Sequence, residues 1–311
     1  MSEAVIQTNG LTKRYKKVLA VDNVDLEIPR GQVFALMGRN GAGKTSIIRM
    51  LLGLTPITKG SASVLGLDSA RKHVAIRKRV GYVPEVHHMY RWMTIAEIAR
   101  FTSAFYPTWS TQHCAELLDR FGLDPKKKIR ELSRGMVAKV ALTLALAHEP
   151  EVLVLDEPTS GLDAVVRKEF LQSIVHVAAD EGKTVLISSH LLNDVERVTD
   201  RVALIDHGKI KLVEDMESLK SRMREIKVTF PDGQPEDIAL DGIVALEKDR
   251  HEWLMVVENF SDELLPQVQK ELPGATIIPR DLSLEEVFVA LVGKRETDNH
   301  RGDAENEREY G

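Results

Sequence analysis

The 311 residues exceed one average compact domain and suit two. Hydrophobic residues make up 43% and charged residues 29%, an ordinary globular balance that excludes a fibrous or fully unfolded chain. A formal net charge of −5 lacks the basic excess of a nucleic-acid footprint, so no nucleic-acid partner is expected.

In chain order, Val18–Ile28 alternates apolar and polar residues like a strand with one buried face. Gly31–Gly38 is a buried apolar strand running into glycine, and a helical pattern follows over Ser46–Gly53. Further strands are expected at Val80–Val83, Glu151–Leu155, Thr184–Ser188 and Arg201–Asp206. Helices fall between them at Ile95–Ala104, Gln112–Arg120, Gly135–Ala147, Ala164–Asp180 and Leu191–Val198. Alternation of this kind implies a mostly parallel sheet covered on both faces. Near Leu219 the pattern changes to the short strands IKVTF, IVALEK and WLMVVEN, a helix at Leu264–Glu271, a strand at Ala275–Ile278 and a last helix at Leu284–Val292. Residues 219–293 thus form a small accessory α+β domain, and 294–311 a polar disordered tail. No run approaches the roughly 20 apolar residues of a spanning helix. The start MSEAVIQTNG lacks the pattern of a signal peptide, so any membrane work needs another chain to supply the span. The lone Cys114 forms no internal disulfide or zinc quartet and is expected to be a small packed side chain.

The segment Gly38, Arg39, Asn40, Gly41, Ala42, Gly43, Lys44, Thr45 fits G-x-x-x-x-G-K-[ST] between a strand and a helix, the setting that phosphate-binding loops require. Glycines let backbone curl close to phosphates, and the exposed amides, with Ser46 continuing into the helix, point at anionic oxygens. Lys44 is placed to meet the β and γ phosphates, and the Thr45 hydroxyl to ligate Mg²⁺. Downstream, EVLVLDEPTSGLD sets Asp156 and Glu157 at the carboxyl end of a buried strand, where ligands bind in open α/β sheets. Asp156 suits the metal and Glu157 the attacking water, because phosphoryl transfer needs positioning and charge stabilisation above all. ATP and Mg²⁺ are the expected cofactors.

Together with these, five further segments resemble the motifs of ABC ATPases, in the right order over about residues 5–215. LSRGM (Leu132–Met136) is similar to the signature, SGLD (Ser160–Asp163) to the D-loop, and His190 after TVLISS to the switch histidine. Tyr15 in LTKRY resembles the aromatic that stacks on adenine, and Glu85 in GYVPE stands where the family has the Q-loop glutamine. The resemblance implies a P-loop NTPase (RecA-like) α/β core with an antiparallel β subdomain, over residues 1–218, with a helical subdomain at about 86–150. It implies Glu157, His190 and Lys44 as the catalytic set, Thr45, Asp156 and Glu85 around the metal, and Ser133, Gly135 and Asp163 completing the ATP site of a second copy.

Two motifs depart from the family pattern: Glu85 adds a negative charge in GYVPE, and in LSRGM Arg134 and Met136 replace a glycine and a glutamine. The LSRGM form, GYVPE and a terminal LEEVF (Leu284–Phe288) look like ATPases of drug, antibiotic-resistance or lipid-type exporters. The implied protein is a peripheral ATPase at the cytoplasmic face of the membrane. It pairs with itself around ATP and drives separate transmembrane permease subunits, with Tyr90 and Trp92 suited to that interface or to packing of the helical subdomain. The alternatives are an ABC ATPase acting on nucleic acid or ribosomes, and a weakly hydrolysing regulatory ATP sensor.

Overall fold

The computed structural model describes residues 4–231, 235, 238, 240–261 and 263–291, without the side chains of 177–181 and 194. The expected tail at 294–311 lies outside the described residues. The chain divides into two compact units between Val213 and Glu214. That is five residues before the 218/219 boundary expected from the sequence. The reason is local: Arg222 of the following helix binds Glu214, at 2.7 Å, and so ties that residue to the second unit.

The first unit holds two sheets. An antiparallel sheet contains β1 (Ala4–Tyr15), β2 (Val18–Pro29), β4 (Lys59–Val64) and β5 (Leu67–Asp68), in the order β2-β1-β4-β5. A second sheet contains β3 (Val33–Met37), β6 (Val80–Val83), β7 (Val152–Asp156), β8 (Thr184–Ser189), β9 (Arg201–Asp206) and β10 (Lys209–Asp215), in the order β10-β9-β3-β8-β7-β6. The five strands from β9 to β6 run parallel. Their composition explains this: VFALM of β3 and TVLISS of β8 are buried at every position, as strands covered on both faces must be.

Helix α1 (Lys44–Leu51) follows β3 and turns Ile47, Ile48, Met50 and Leu51 into the core. Helix α2 (His73–Arg79) precedes β6. Between β6 and β7 lie α3 (Ile95–Ser103), α4 (Thr111–Arg120) and α5 (Arg134–Leu146). A reciprocal capping box between Thr94 and Glu97 starts α3, and Ser110 caps α4. Cys114 is buried in α4, and burial pushes its thiol up. Helix α6 (Ala164–Glu181) joins β7 to β8, and the short α7 (Leu192–Val195) follows β8, half the length expected from the sequence.

The second unit has α8 (Met216–Arg222), α9 (Leu264–Glu271) and an antiparallel sheet of β11 (Arg224–Thr229), β12 (Ile243–Asp249), β13 (Glu252–Val257) and β14 (Thr276–Asp281), in the order β12-β13-β11-β14. Ile226, Val228, Trp253, Met255, Val257 and Val268 form its core. Residues 284–291, which include LEEVF, are helical.

Candidate functional site

Strands β3, β7 and β8 are neighbours, and their carboxyl ends converge. The loop after β3 starts at Gly38, where a Cβ would stand 2.1 Å from the Ile205 carbonyl oxygen. Gly43 ends it at φ +111° and caps α1, and a Cβ there would meet the Ala20 carbonyl oxygen at 2.5 Å. Only glycine fits both places. Asn40, Gly41, Ala42, Gly43, Lys44, Thr45 and Ser46 line a cavity of about 280 Å³ together with Glu85 and Glu157. Loop and acids, 111 positions apart at Thr45 and Asp156, therefore share one site.

The side chains there form a continuous network. Lys44 Nζ donates to the carbonyl oxygens of Gly38 (2.6 Å) and Arg39 (3.2 Å). It also lies 2.9 Å from Glu157 Oε1, near enough for an ion pair but off the line of a hydrogen bond. His190 Nδ1 is 2.7 Å from Glu157 Oε2, and the His190 amide donates to the same oxygen at 3.3 Å. Thr45 Oγ1 donates to Asp156 Oδ1 at 3.0 Å. Burial raises the Asp156 carboxyl above its ordinary range, against hydrogen bonds from Ser188 and Thr45 that lower it.

Three participants escape a reading of the sequence alone. Ser188 is fully buried and donates to Asp156 Oδ1 at 2.8 Å. Tyr82 on β6 lies close to Asp156 and hydrogen-bonds Arg49 of α1. Burial, helped by the Asp156 charge, pushes its phenol up to about 12. The missed signal is strand register: Asp156 pairs with Ser188, and Val154 with Tyr82.

The remaining expected residues lie in separate places. Tyr15 ends β1. It is 41% exposed, with Lys13 Nζ 4.8 Å above its ring. Ser133 caps α5 by accepting from the Met136 amide at 3.2 Å, and Asp163 caps α6 by accepting from Val165 and Val166. Gly135 is buried, and a Cβ there would stand 2.4 Å from Val166 Cγ1. Arg134 is exposed and shares a groove with Glu85, His87, Arg91 and the 158–162 segment.

A phosphate-binding loop at the end of a central parallel strand, beside two acids and a histidine on the adjoining strands, defines the P-loop nucleotide hydrolases. Comparison with known proteins narrows the class. The family model described as ABC transporter matches residues 21–160. The ABC transporter ATP-binding protein YtrB of Bacillus subtilis is 30% identical over 296 residues, covering 93% of this chain and 98% of that one. The bacitracin transport ATP-binding protein BcrA of Bacillus licheniformis is 35% identical over 223 residues, covering 71% and 73%. A solved ATP-binding subunit of an ABC transporter superposes with a TM-score of 0.63 at 26% identity, over 70% of this chain and 92% of that chain. The chain belongs to the ATP-binding proteins of the ABC transporter family, and is an ATPase of that family. Among the described residues, no helix is long and apolar enough to cross a membrane.

Proposed function

We propose that this subunit hydrolyses ATP to drive the transmembrane subunits of an exporter, at the cytoplasmic face of the membrane. The observation that carries the proposal is a cavity lined by the loop residues Asn40–Ser46 and by Glu157, with Asp156 bound to Thr45 and His190 bound to Glu157. The loop amides and Lys44 would take the triphosphate, with Lys44 exchanging Glu157 for phosphate oxygens. Glu157 would then accept a proton from the attacking water, and His190 would hold that carboxylate and the γ phosphate in place. Tyr15 would stack on the adenine.

Thr45, Asp156 and Glu85 offer the hard oxygen donors that Mg²⁺ prefers, and Thr45 and Asp156 already meet. Bound there, Mg²⁺ would neutralise charge on the β and γ phosphates. Among the described residues no cluster of three His, Cys, Asp or Glu side chains could hold a metal, which suits a cation completed by phosphate and water. Ser133 and Asp163 at exposed helix starts would face the nucleotide of a second copy, with Gly135 setting the closeness of α5 to α6.

Transport of bacitracin by a relative, and the LSRGM and LEEVF segments, support the exporter reading. An exposed aromatic ladder supports a protein partner: Tyr90 packs against Trp92 at 5.9 Å and Phe101 at 5.6 Å, and Phe101 against Phe105 at 5.4 Å. Trp92 and Phe105 are each more than 60% exposed. Rings in such numbers suit an interface with the membrane subunit. The test is assembly of Glu157→Gln with ATP, read as molar mass by light scattering. A dimer that forms with ATP and not with ADP supports the proposal, and a monomer under all conditions overturns it.

A further inference from the structure

We propose that Ser188 is a positioning residue that holds the two carboxylates ending β7 in their working arrangement. The Ser188 hydroxyl acts in both directions: it donates to Asp156 Oδ1 at 2.8 Å and accepts from the Glu157 amide at 3.0 Å. Only a hydroxyl, at once a donor and an acceptor, can do this from so small a side chain. The Ser188 carbonyl also lies 3.2 Å from that amide, so the backbone of Glu157 is held twice by one residue.

The double hold has a purpose in the backbone. Glu157 sits at φ +48°, a left-handed conformation that is costly for a residue with a Cβ. Such conformations persist where surrounding contacts over-determine them. This turn carries the Glu157 side chain to Lys44 on one side and His190 on the other. On Asp156, the hydroxyls of Ser188 and Thr45 both donate to Oδ1 and so set the plane of the carboxylate. The pairing of Asp156 with Ser188 across β7 and β8 makes the contact short and rigid, and Ser188 is wholly shielded from water. Groups behind a metal ligand that orient it in this way typically matter by about 10–100-fold in metal affinity or activity.

The inference rests on the reading of Asp156 as a metal ligand and Glu157 as the base. It is tested on the purified full chain by two readouts: Mn²⁺ binding in the presence of ADP, followed by electron paramagnetic resonance, and ATP turnover. Ser188→Ala is expected to weaken Mn²⁺ binding and lower kcat, each by about 10–100-fold, while metal-free ADP affinity stays unchanged. A residue that only fills space would leave the Mn²⁺ affinity where it was. If Ser188→Ala binds Mn²⁺ and turns over like the parent, the proposal fails. Should Ser188→Ala not fold, Ser188→Cys retains the bulk with a poorer donor and acceptor. It is expected to show the same two losses in smaller measure, and parental values in it also overturn the proposal. Failure of the parent protein itself to bind Mn²⁺ with ADP would instead refute the metal reading of Asp156.

Discussion

Lys44 Nζ and Glu157 Oε1 lie 2.9 Å apart, and both side chains are more than nine-tenths shielded from water. The cation needed by the triphosphate is thus held by the acid proposed as the base. Lys44→Ala should abolish tight ATP binding in a calorimetric titration, and unchanged affinity would count against the loop reading. The pair also predicts a conditional effect of Glu157→Gln. Breaking a buried ion pair from one side typically costs about 3–5 kcal/mol, less where other partners remain, as the Gly38 and Arg39 carbonyls do for Lys44. Glu157→Gln should therefore melt below the parent without nucleotide and lose that deficit with ATP bound.

His190 should be separable from binding. Its ring meets Glu157 Oε2 at 2.7 Å and would touch at most the γ phosphate, whereas the loop residues Asn40–Ser46 that line the cavity would hold the rest of the triphosphate. His190→Ala is expected to lower ATP turnover by about 10²-fold, the usual cost of misplacing a reacting group, with nucleotide affinity largely retained. Parental turnover measured by phosphate release would remove His190 from the reaction.

The loop glycines are unequal, and stability should report it. At Gly43 an added Cβ meets the Ala20 carbonyl oxygen at 2.5 Å with φ at +111°, whereas at Gly41 it meets nothing within 4 Å despite φ of +81°. Gly41→Ala should cost about 1 kcal/mol for its backbone conformation alone. Gly43→Ala should cost more, because backbone must also move. Urea midpoints of the two variants, compared at equal m-values, decide the point.

His148 makes the fold sensitive to acid. Burial pushes its imidazole down to about 4, and its ring stacks on Tyr106 with centroids 4.0 Å apart. The unfolded chain therefore takes up a proton near pH 6.5 that the folded one refuses until about pH 4. The contribution of the neutral ring is complete above the unfolded value and is lost as pH falls through that window, on the order of 3 kcal/mol in all. His148→Phe, which keeps an aromatic surface for Tyr106, should flatten the fall in unfolding free energy between pH 6.5 and 4. An equally steep fall in the variant would contradict this.

What a sequence can reveal depends on whether the information is local. The loop, Val80–Val83 and Arg201–Asp206 are local patterns, and they appear in the structure at those positions. Strand β1 was not legible: Gly10 sits at φ +56° in its middle, and the register with β2 shifts between Thr8 and Leu11, so alternation breaks. Strand β4 reads KGSASV, with its first three residues exposed, so no apolar run marks it, and β5 and α2 are too short to show a period. In the site, Asp156 and Glu157 stood out by charge. Ser188 looked like one more small residue of a buried strand, and only pairing across β7 and β8 gives its hydroxyl two partners.

Position 135 illustrates how a residue in a signature segment is constrained from behind. With Val166 Cγ1 only 2.4 Å from where its side chain would begin, Gly135 locks the opening turn of α5 to the opening turn of α6. The two sites are one steric unit: a side chain at 135 displaces Val166 unless residue 166 shrinks with it. Ser133 and Asp163 cap those same two helices, so both caps flank one steric joint.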